Sequence, residues 1–263
     1  MKQIVDFLKK LLVEAGKIML EAHNDAANSV KIKPGTVNFV TAYDVVVQEF
    51  LMKEIRARIP EAVFIAEEKE NDSSALLGDC CFIIDPIDGT TNFIHDYRHS
   101  CISLAMLQGG NTVFGAVYHP YGGEMFCAVA GQGATLNDKP VHVSNCALEV
   151  GLVTFGTSPY YKDELADKSF SLARDLFLGM ADVRRTGSAA LDLAYLAAGR
   201  ADAFFEWRLS PWDYAAGALL VKEAGGLITD EKGNEVTLSA ACPVFAGTPK
   251  THSVLLEMAE KYL

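Results

Sequence analysis

Between Ser100 and Val143 the apolar residues fall into short strand-like runs, Ile102–Leu107, Thr112–Tyr118 and Glu124–Val129. Gln108-Gly109-Gly110-Asn111 and Pro120-Tyr121-Gly122-Gly123 separate them with turn chemistry, so the stretch reads as an antiparallel meander. After Leu148 the pattern changes. Strands at Val150–Phe155, near Val183, at Ala201–Phe205 and at Leu227–Thr229 alternate with helical periods at Lys162–Leu178, Ser188–Ala198 and Pro211–Ala224, and a helix at Lys250–Tyr262 closes the chain. That is βα alternation, with helices covering sheets. Upstream, Ile4, Leu8, Leu11, Leu12, Ala15, Ile18 and Met19 recur at three- and four-residue spacing and predict an amphipathic first helix. Lys31 to Asn38, with Pro34 and Gly35, reads as a turn or mobile loop. A second helix runs from about Asp44 to Arg58 and stops before Pro60; Ala62–Ala66 and Cys81–Ile84 read as buried strands joined by the polar connection Lys69–Asp79. With no repeat, low-complexity tract or long linker, residues 1–263 form one compact unit. Its N-terminal α+β half (about 1–148) and C-terminal α/β half (149–263) meet near residue 148.

The chain carries 23 Lys and Arg against 34 Asp and Glu, a net charge of −11, and no basic run exceeds two residues. Such a surface repels phosphate polymers, so no nucleic-acid partner is expected. The six cysteines include no Cys-x-x-Cys pair and read as reduced thiols, with Cys80 and Cys81 facing opposite sides of a strand. Asp6, Lys9, Lys10 and Glu14 interrupt the first apolar stretch, and no run approaches the ~20 apolar residues of a spanning helix. These features predict a soluble, cytoplasmic protein with no membrane partner.

Chemistry concentrates in Asp85-Pro86-Ile87-Asp88-Gly89-Thr90-Thr91-Asn92-Phe93, directly after the strand Cys81–Ile84. Two carboxylates three residues apart can face one centre, and Mg²⁺ is typically held by one or two carboxylates plus substrate phosphate. Gly89 admits an anion close to the backbone, and a helix starting at Thr90 would offer free N–H groups. Alone, the segment is equally a turn in which Asp88 caps a helix. Three companions favour a site. Glu67, ahead of Glu68 in a solvated charge run, stands at a strand end where α/β proteins build sites. Asp213, in Pro211-Trp212-Asp213, is either a helix-stabilising acid or a further ligand. Asp44 caps the second helix, and within reach of Thr90 it would also form a proton-accepting pair that activates water. Of the histidines, His95 and His99 are four apart, but the strand beginning near Ser100 truncates any zinc-binding helix.

Phe39-Val40-Thr41-Ala42-Tyr43-Asp44, Glu67-Glu68, Asp85 to Phe93, Gly187-Ser188-Ala189-Ala190, Trp212-Asp213 to Gly217 and Gly225-Gly226 together resemble the inositol monophosphatase family. The resemblance extends from about Lys33 to Gly226 in the family's order and spacing. The wider superfamily of Mg²⁺-dependent, lithium-sensitive phosphomonoesterases includes fructose bisphosphatases and nucleotide 3′-phosphatases. The resemblance implies an αβαβα five-layer sandwich, usually a homodimer, hydrolysing a phosphorylated polyol or sugar with two or three Mg²⁺ per site. By position, Glu67, Asp85 and the Ile87 carbonyl would hold the first ion, Asp85, Asp88 and Asp213 the second, and Glu67 would help with a third. Asp44 and Thr90 would orient the attacking water, and the Gly89 and Thr90 N–H groups would bind phosphate. Asp88 and Asp213 also face the substrate; Gly187, Ser188, Ala189 and Glu206 would line its polyol side, and Lys33 would sit on a loop closing over the metals. The chain departs from the family in Ala66, where Gly is common. It also varies at Trp207-Arg208-Leu209-Ser210, where Arg208 reads as an exposed loop arginine, with pairing to a second anionic group as the alternative.

Divalent ions lower the pKa of bound water, neutralise phosphate and stabilise the leaving oxygen, so no covalent intermediate is required. Consistent with that, Cys80, Cys81, Cys101 and Cys127 lack an arginine six residues on. The resemblance implies hydrolysis of myo-inositol monophosphate. Fructose 1,6-bisphosphatase or nucleotide 3′-phosphatase activity is the nearest alternative, and a metal-binding regulatory protein without turnover is the second.

Overall fold

The computed structural model describes the backbone of residues 1–22, 31–33, 38–40 and 42–263, and the side chains of 1–21 and 42–263. The first helix, α1 (Lys2–Ala22), buries Leu8, Leu11, Leu12, Ala15 and Met19 on one face, as its periodicity requires. Strands β1 (Lys31–Lys33) and β2 (Asn38–Val40) pair antiparallel, with Lys33 opposite Asn38. The Pro34-Gly35 turn, Thr41 and the Lys33 side chain lie outside the described residues. Helix α2 (Ala42–Arg58) packs on α1 and ends two residues before Pro60.

Strands β3 (Val63–Ala66), β4 (Cys81–Asp88), β5 (Cys101–Gln108), β6 (Asn111–His119), β7 (Glu124–Val129), β8 (Ala134–Leu136) and β9 (Lys139–Val141) form one sheet in that order. Only β3 and β4 run parallel; from β4 onward each pair is antiparallel, with β5 to β7 the expected meander and β8 and β9 extending it beyond the runs read from the sequence. A short helix, α3 (Thr90–Ile94), connects β4 to β5. The second sheet has the order β11 (Asp182–Arg184), β10 (Leu152–Phe155), β12 (Ala203–Leu209), β14 (Cys242–Gly247), β13 (Leu227–Thr229). Its helices are α4 (Lys162–Gly179), α5 (Ala189–Ala197), α6 (Pro211–Glu223) and α7 (Thr251–Ala259).

Three apolar clusters fix the layering. One lies between α1–α2 and the seven-stranded sheet and holds Leu12, Leu51, Phe82 and Phe114. The second fills the middle, joining β4 and β5 of the first sheet through α5 and α6 to Phe204 and Ala246 of the second. The third packs Leu172, Leu176 and Leu255 of α4 and α7 against Val153, Phe205 and Phe245. The result is the expected αβαβα sandwich. Helix α6 is the centre of it: Tyr214 through Val221 are all buried, and no polar stripe is left. It approaches β6 so closely that a Cβ on Gly115 would stand 2.8 Å from the Ala216 carbonyl oxygen. Cys80 and Cys81 do face opposite ways, into two different clusters, and all six cysteines are free. No helix among the described residues is long and apolar enough to cross a membrane.

Three expectations need correction. Strand β4 runs four residues past Ile84 and β12 four past Phe205, because neither polar segment leaves its ladder. Trp207-Arg208-Leu209 is therefore strand, with Trp207 buried, and Arg208 is exposed on a strand rather than on a loop. Strand β14 was not anticipated: Pro243 interrupts its short apolar run. Pro243 sits where the β12–β14 register breaks, so its missing N–H costs no ladder bond.

Candidate active site

In a regular strand, residues three apart face opposite sides. Asp85 and Asp88 escape that rule. Asp85 pairs with Ser103 and Asp88 with Cys101, three steps on β4 against two on β5, and Pro86 lies inside the break. This β-bulge turns Asp88 back to the side of Asp85. Asp213 joins them from the first turn of α6, and ligand oxygens of all three lie within 4.8 Å of one another. Burial is the main force raising all three carboxyl pKa values. For Asp85 and Asp213 the neighbouring acids, including Glu67, push further in the same direction. Asp88 is partly relieved: its Oδ2 accepts hydrogen bonds from Ser188 Oγ at 2.6 Å and Ala190 N at 2.7 Å, at the start of α5.

Asp213 stabilises the start of its helix and stands in the acidic trio. Its Oδ2 accepts from Ser210 N at 2.6 Å, closing the start of α6, while the same carboxyl belongs to the acidic trio. Glu67 follows β3 and lines the cavity beside the trio, without being one of the three. Glu68 does not line it; its N–H is held by Gln48 Oε1. Asp44 is fully buried on α2, and the Thr90 hydroxyl lies 3.3 Å from Asp44 Oδ1 and 3.1 Å from the Ile87 carbonyl oxygen. A carbonyl has two lone pairs, so Ile87 keeps one for another partner. Gly89 has φ +89°, and a Cβ there would meet the Gly187 and His99 carbonyl oxygens at 3.1 Å. The turn is therefore closed to any side chain, and the helix after it does begin at Thr90.

The opposite wall is built on β12, which carries the same device: Glu206 pairs with Val244 and Leu209 with Cys242, again three against two. Glu206 is buried, and Ser158 grips its Oε1 through N at 2.7 Å and Oγ at 3.2 Å. Burial pushes its carboxyl up to about 7 against those bonds. Ser158 itself holds a left-handed backbone, φ 42° and ψ 63°. Gly156 lies so close beneath the carboxylate that an added Cβ would fall 1.8 Å from Glu206 Oε2. Gly187, Ser188 and Ala189 line the cavity, although the Ser188 hydroxyl is taken up by Asp88. Sequence reasoning missed Ser158, Tyr160, Arg185 and Asp192, which share the cavity. Asp192 is buried beside the N-terminus of α5, bound through Oδ2 to Thr186 Oγ at 2.7 Å. None of these four stands in an acidic or glycine-rich run, so no local signal marked them.

The cavity enclosed by these two walls measures about 490 Å³. Its acidic end fits a hard divalent cation on three counts. The converging donors are all carboxylate oxygens, their crowding leaves buried negative charge uncompensated, and among the described residues no lysine or arginine pairs with Asp85, Asp88 or Asp213. The neighbouring Cys101 thiol, 3.8 Å from Asp88 Oδ2, is held well above its ordinary pKa by burial and so stays a neutral thiol.

The Nus factor SuhB of Pasteurella multocida is 38% identical over 230 residues, 86% of this chain and 85% of the relative. The Nus factor SuhB of Escherichia coli K12 is 37% identical over 246 residues, 92% of this chain and 90% of the relative. A solved Thermotoga maritima IMPase superposes with a TM-score of 0.89 at 33% identity, over 99% of this chain and 98% of that one. A model of the inositol monophosphatase family matches residues 1–263, and the chain belongs to that family of phosphatases.

Proposed function

We propose that this chain hydrolyses a small phosphate monoester, with myo-inositol monophosphate as substrate and Mg²⁺ as cofactor. The observation that carries the reading is the convergence of Asp85, Asp88 and Asp213 within 4.8 Å. Asp85, Asp88 and Asp213 hold metal, with Glu67 and the Ile87 carbonyl completing the donor set for two or three ions. When bound, Mg²⁺ supplies Lewis-acid neutralisation of the phosphate and of the leaving oxygen. The chain's own groups do the rest. Thr90 and Asp44 form the hydrogen-bonded pair that orients a water and receives its proton. The N–H groups of Gly89 and Thr90 hold phosphate oxygens, because the left-handed turn at Gly89 leaves them free of a side chain. Gly187, Ser188 and Ala189 shape the polyol side, and the fixed Glu206 carboxylate accepts a polyol hydroxyl.

A test is phosphate release from a panel of inositol, fructose and nucleotide phosphates, with and without chelator, on wild type and Asp213→Asn. Chelator-sensitive release led by inositol phosphate supports the reading. The name of the SuhB relatives, Nus factor, favours the second reading, a metal-binding regulatory protein. Mg²⁺ binding without release from any panel member would establish that one instead. A homodimer in a reducing cytoplasm completes the proposal. Six free thiols support the compartment, and sedimentation at micromolar concentration checks the assembly.

A further inference from the structure

Of the candidate carboxylate ligands, Glu67 alone is carried by no regular element. Asp85 and Asp88 stand on β4 and Asp213 on α6, whereas Glu67 follows the last residue of β3 in a turn. It still comes close enough to Asp85 to be the neighbouring acid that most raises that carboxyl pKa. Its own N–H reaches the Ile84 carbonyl at 3.3 Å, a long bond. Among the described residues β3 has a strand on one side only, so no ladder fixes the outward-facing backbone groups of Ala66, just before Glu67.

Two side-chain amides take the place of a ladder. Asn71 folds back on the edge of β3 and engages both backbone groups of Ala66. Its Oδ1 accepts from Ala66 N at 2.9 Å, and its Nδ2 donates to the Ala66 carbonyl at 2.8 Å. A side-chain amide carries the same donor and acceptor as a peptide unit, so Asn71 stands in for a further strand one residue long. Lys69 fastens the turn, donating from Nζ to the Phe64 carbonyl at 3.1 Å and to Asn71 Oδ1 at 3.2 Å. On the other flank of Glu67, Gln48 Oε1 accepts from Glu68 N at 2.9 Å. Gln48 is buried and lies one turn beyond Asp44 on α2. The helix that presents Asp44 to the Thr90 hydroxyl therefore also sets the turn that carries Glu67. Neither Gln48 nor Asn71 lines the cavity, so each acts on the site through the backbone around Glu67.

We propose that Gln48 and Asn71 are positioning residues, gripping the backbone on either side of Glu67 and holding its carboxylate toward Asp85 for a shared divalent cation. The proposal rests on the metal-dependent reading above and names the groups that set its least anchored ligand. The test uses the whole chain stripped of metal. Calorimetric titration with Mn²⁺, a hard divalent probe, runs beside Mg²⁺ activation of phosphate release from inositol phosphate, with thermal melts to confirm folding. Gln48→Met keeps the side-chain length and removes the acceptor; Asn71→Leu keeps the shape and removes both bonds to Ala66. Each weakens Mn²⁺ binding roughly 10-fold, and raises the Mg²⁺ needed for half-maximal release by the same factor, while KM for the ester at saturating Mg²⁺ holds. Gln48→Glu, which keeps an acceptor for Glu68 N, stays within about threefold of wild type. In a Glu67→Gln background neither substitution shifts Mn²⁺ affinity by more than about twofold, because the carboxylate they position is already gone. Losses that add in full to that of Glu67→Gln would assign both amides to fold stability and overturn the proposal, as would unchanged Mn²⁺ affinity in the single variants. Should Gln48→Met fail to fold, Asn71→Leu carries the same cycle from the opposite flank. If the calorimetric cycle holds but no ester is hydrolysed, the positioning role stands and the phosphatase reading falls. If release depends on Mg²⁺ but the single variants bind Mn²⁺ as wild type does, the positioning role alone falls. A wild type that binds no Mn²⁺ overturns both.

Discussion

The ends of β4 and β12 use one backbone device for opposite electrostatic purposes. Each carries a bulge of three residues against two; on β4 it turns Asp88 back toward Asp85, and on β12 it follows Glu206, which lines the same cavity. At the end of β4 the carboxylates crowd one another, and the described residues offer them no cation. At the end of β12 a single carboxylate, Glu206, is gripped by Ser158 and flanked by arginine. The difference teaches that burial alone does not define a metal site. Glu206 is as buried as Asp88, yet its neighbours are Ser158 and Arg185, whereas the β4 acids face one another.

The largest effect that sharpens this contrast is on turnover. Asp88→Asn and Asp213→Asn each lower kcat by at least ~10³-fold, since several kcal/mol of transition-state stabilisation is lost with the cation. Thermal melts should remain cooperative, and near-normal turnover in either variant would break the distinction between the two walls. On the other side, Glu206→Ala changes the ratio of inositol phosphate to aryl phosphate hydrolysis by about tenfold, the value of one hydrogen bond to a charged group. Gly156→Ala should reproduce that change without removing any polar atom, because the new methyl occupies the place of Glu206 Oε2. An unchanged substrate ratio in both variants would remove Glu206 from recognition.

A smaller effect appears in stability without metal. Asp85→Asn removes one of the mutually repelling buried charges while keeping an oxygen for the Ile87 N–H, so in chelator it gains about 1 kcal/mol over wild type. Excess Mg²⁺ should reverse the order, because only wild type keeps the full ligand set. A last effect lies outside both walls. Burial pulls the His99 ring down to about 4 from an ordinary 6.5. The unfolded chain therefore binds the proton first, and the stability present above pH 6.5 is lost as pH falls toward 4. His99→Gln should flatten that part of the melting-temperature profile; an identical slope would contradict it.

The same contrast explains what could be read from the residues. The β4 wall was legible because its chemistry is local: Asp85, Asp88, Gly89 and Thr90 span six residues after an apolar run. Metal sites and tight turns restrict residue type at adjacent positions, and such restrictions leave a pattern. The β12 wall is assembled from Gly156–Tyr161, Arg185–Asp192 and Glu206–Leu209, brought together only by the second sheet. Ser158 and Asp192 carry no mark, because a serine in a turn and an aspartate in a first helical turn are ordinary. The layered fold was legible from the switch in periodicity near Leu148. Strand β14 was not, since Pro243 argues against a strand unless the bulge that accommodates it is known.

Asp213 fastens the start of the helix on which both sheets rest, and the same carboxyl faces the acidic cluster. A longer or neutral side chain there would disturb two requirements at once, one mechanical and one chemical. Sequence drift is therefore far cheaper at an exposed rim position such as Arg208 than at Asp213. New specificities in a scaffold of this kind should arise by changing the rim while the anchor of the central helix stays as it is.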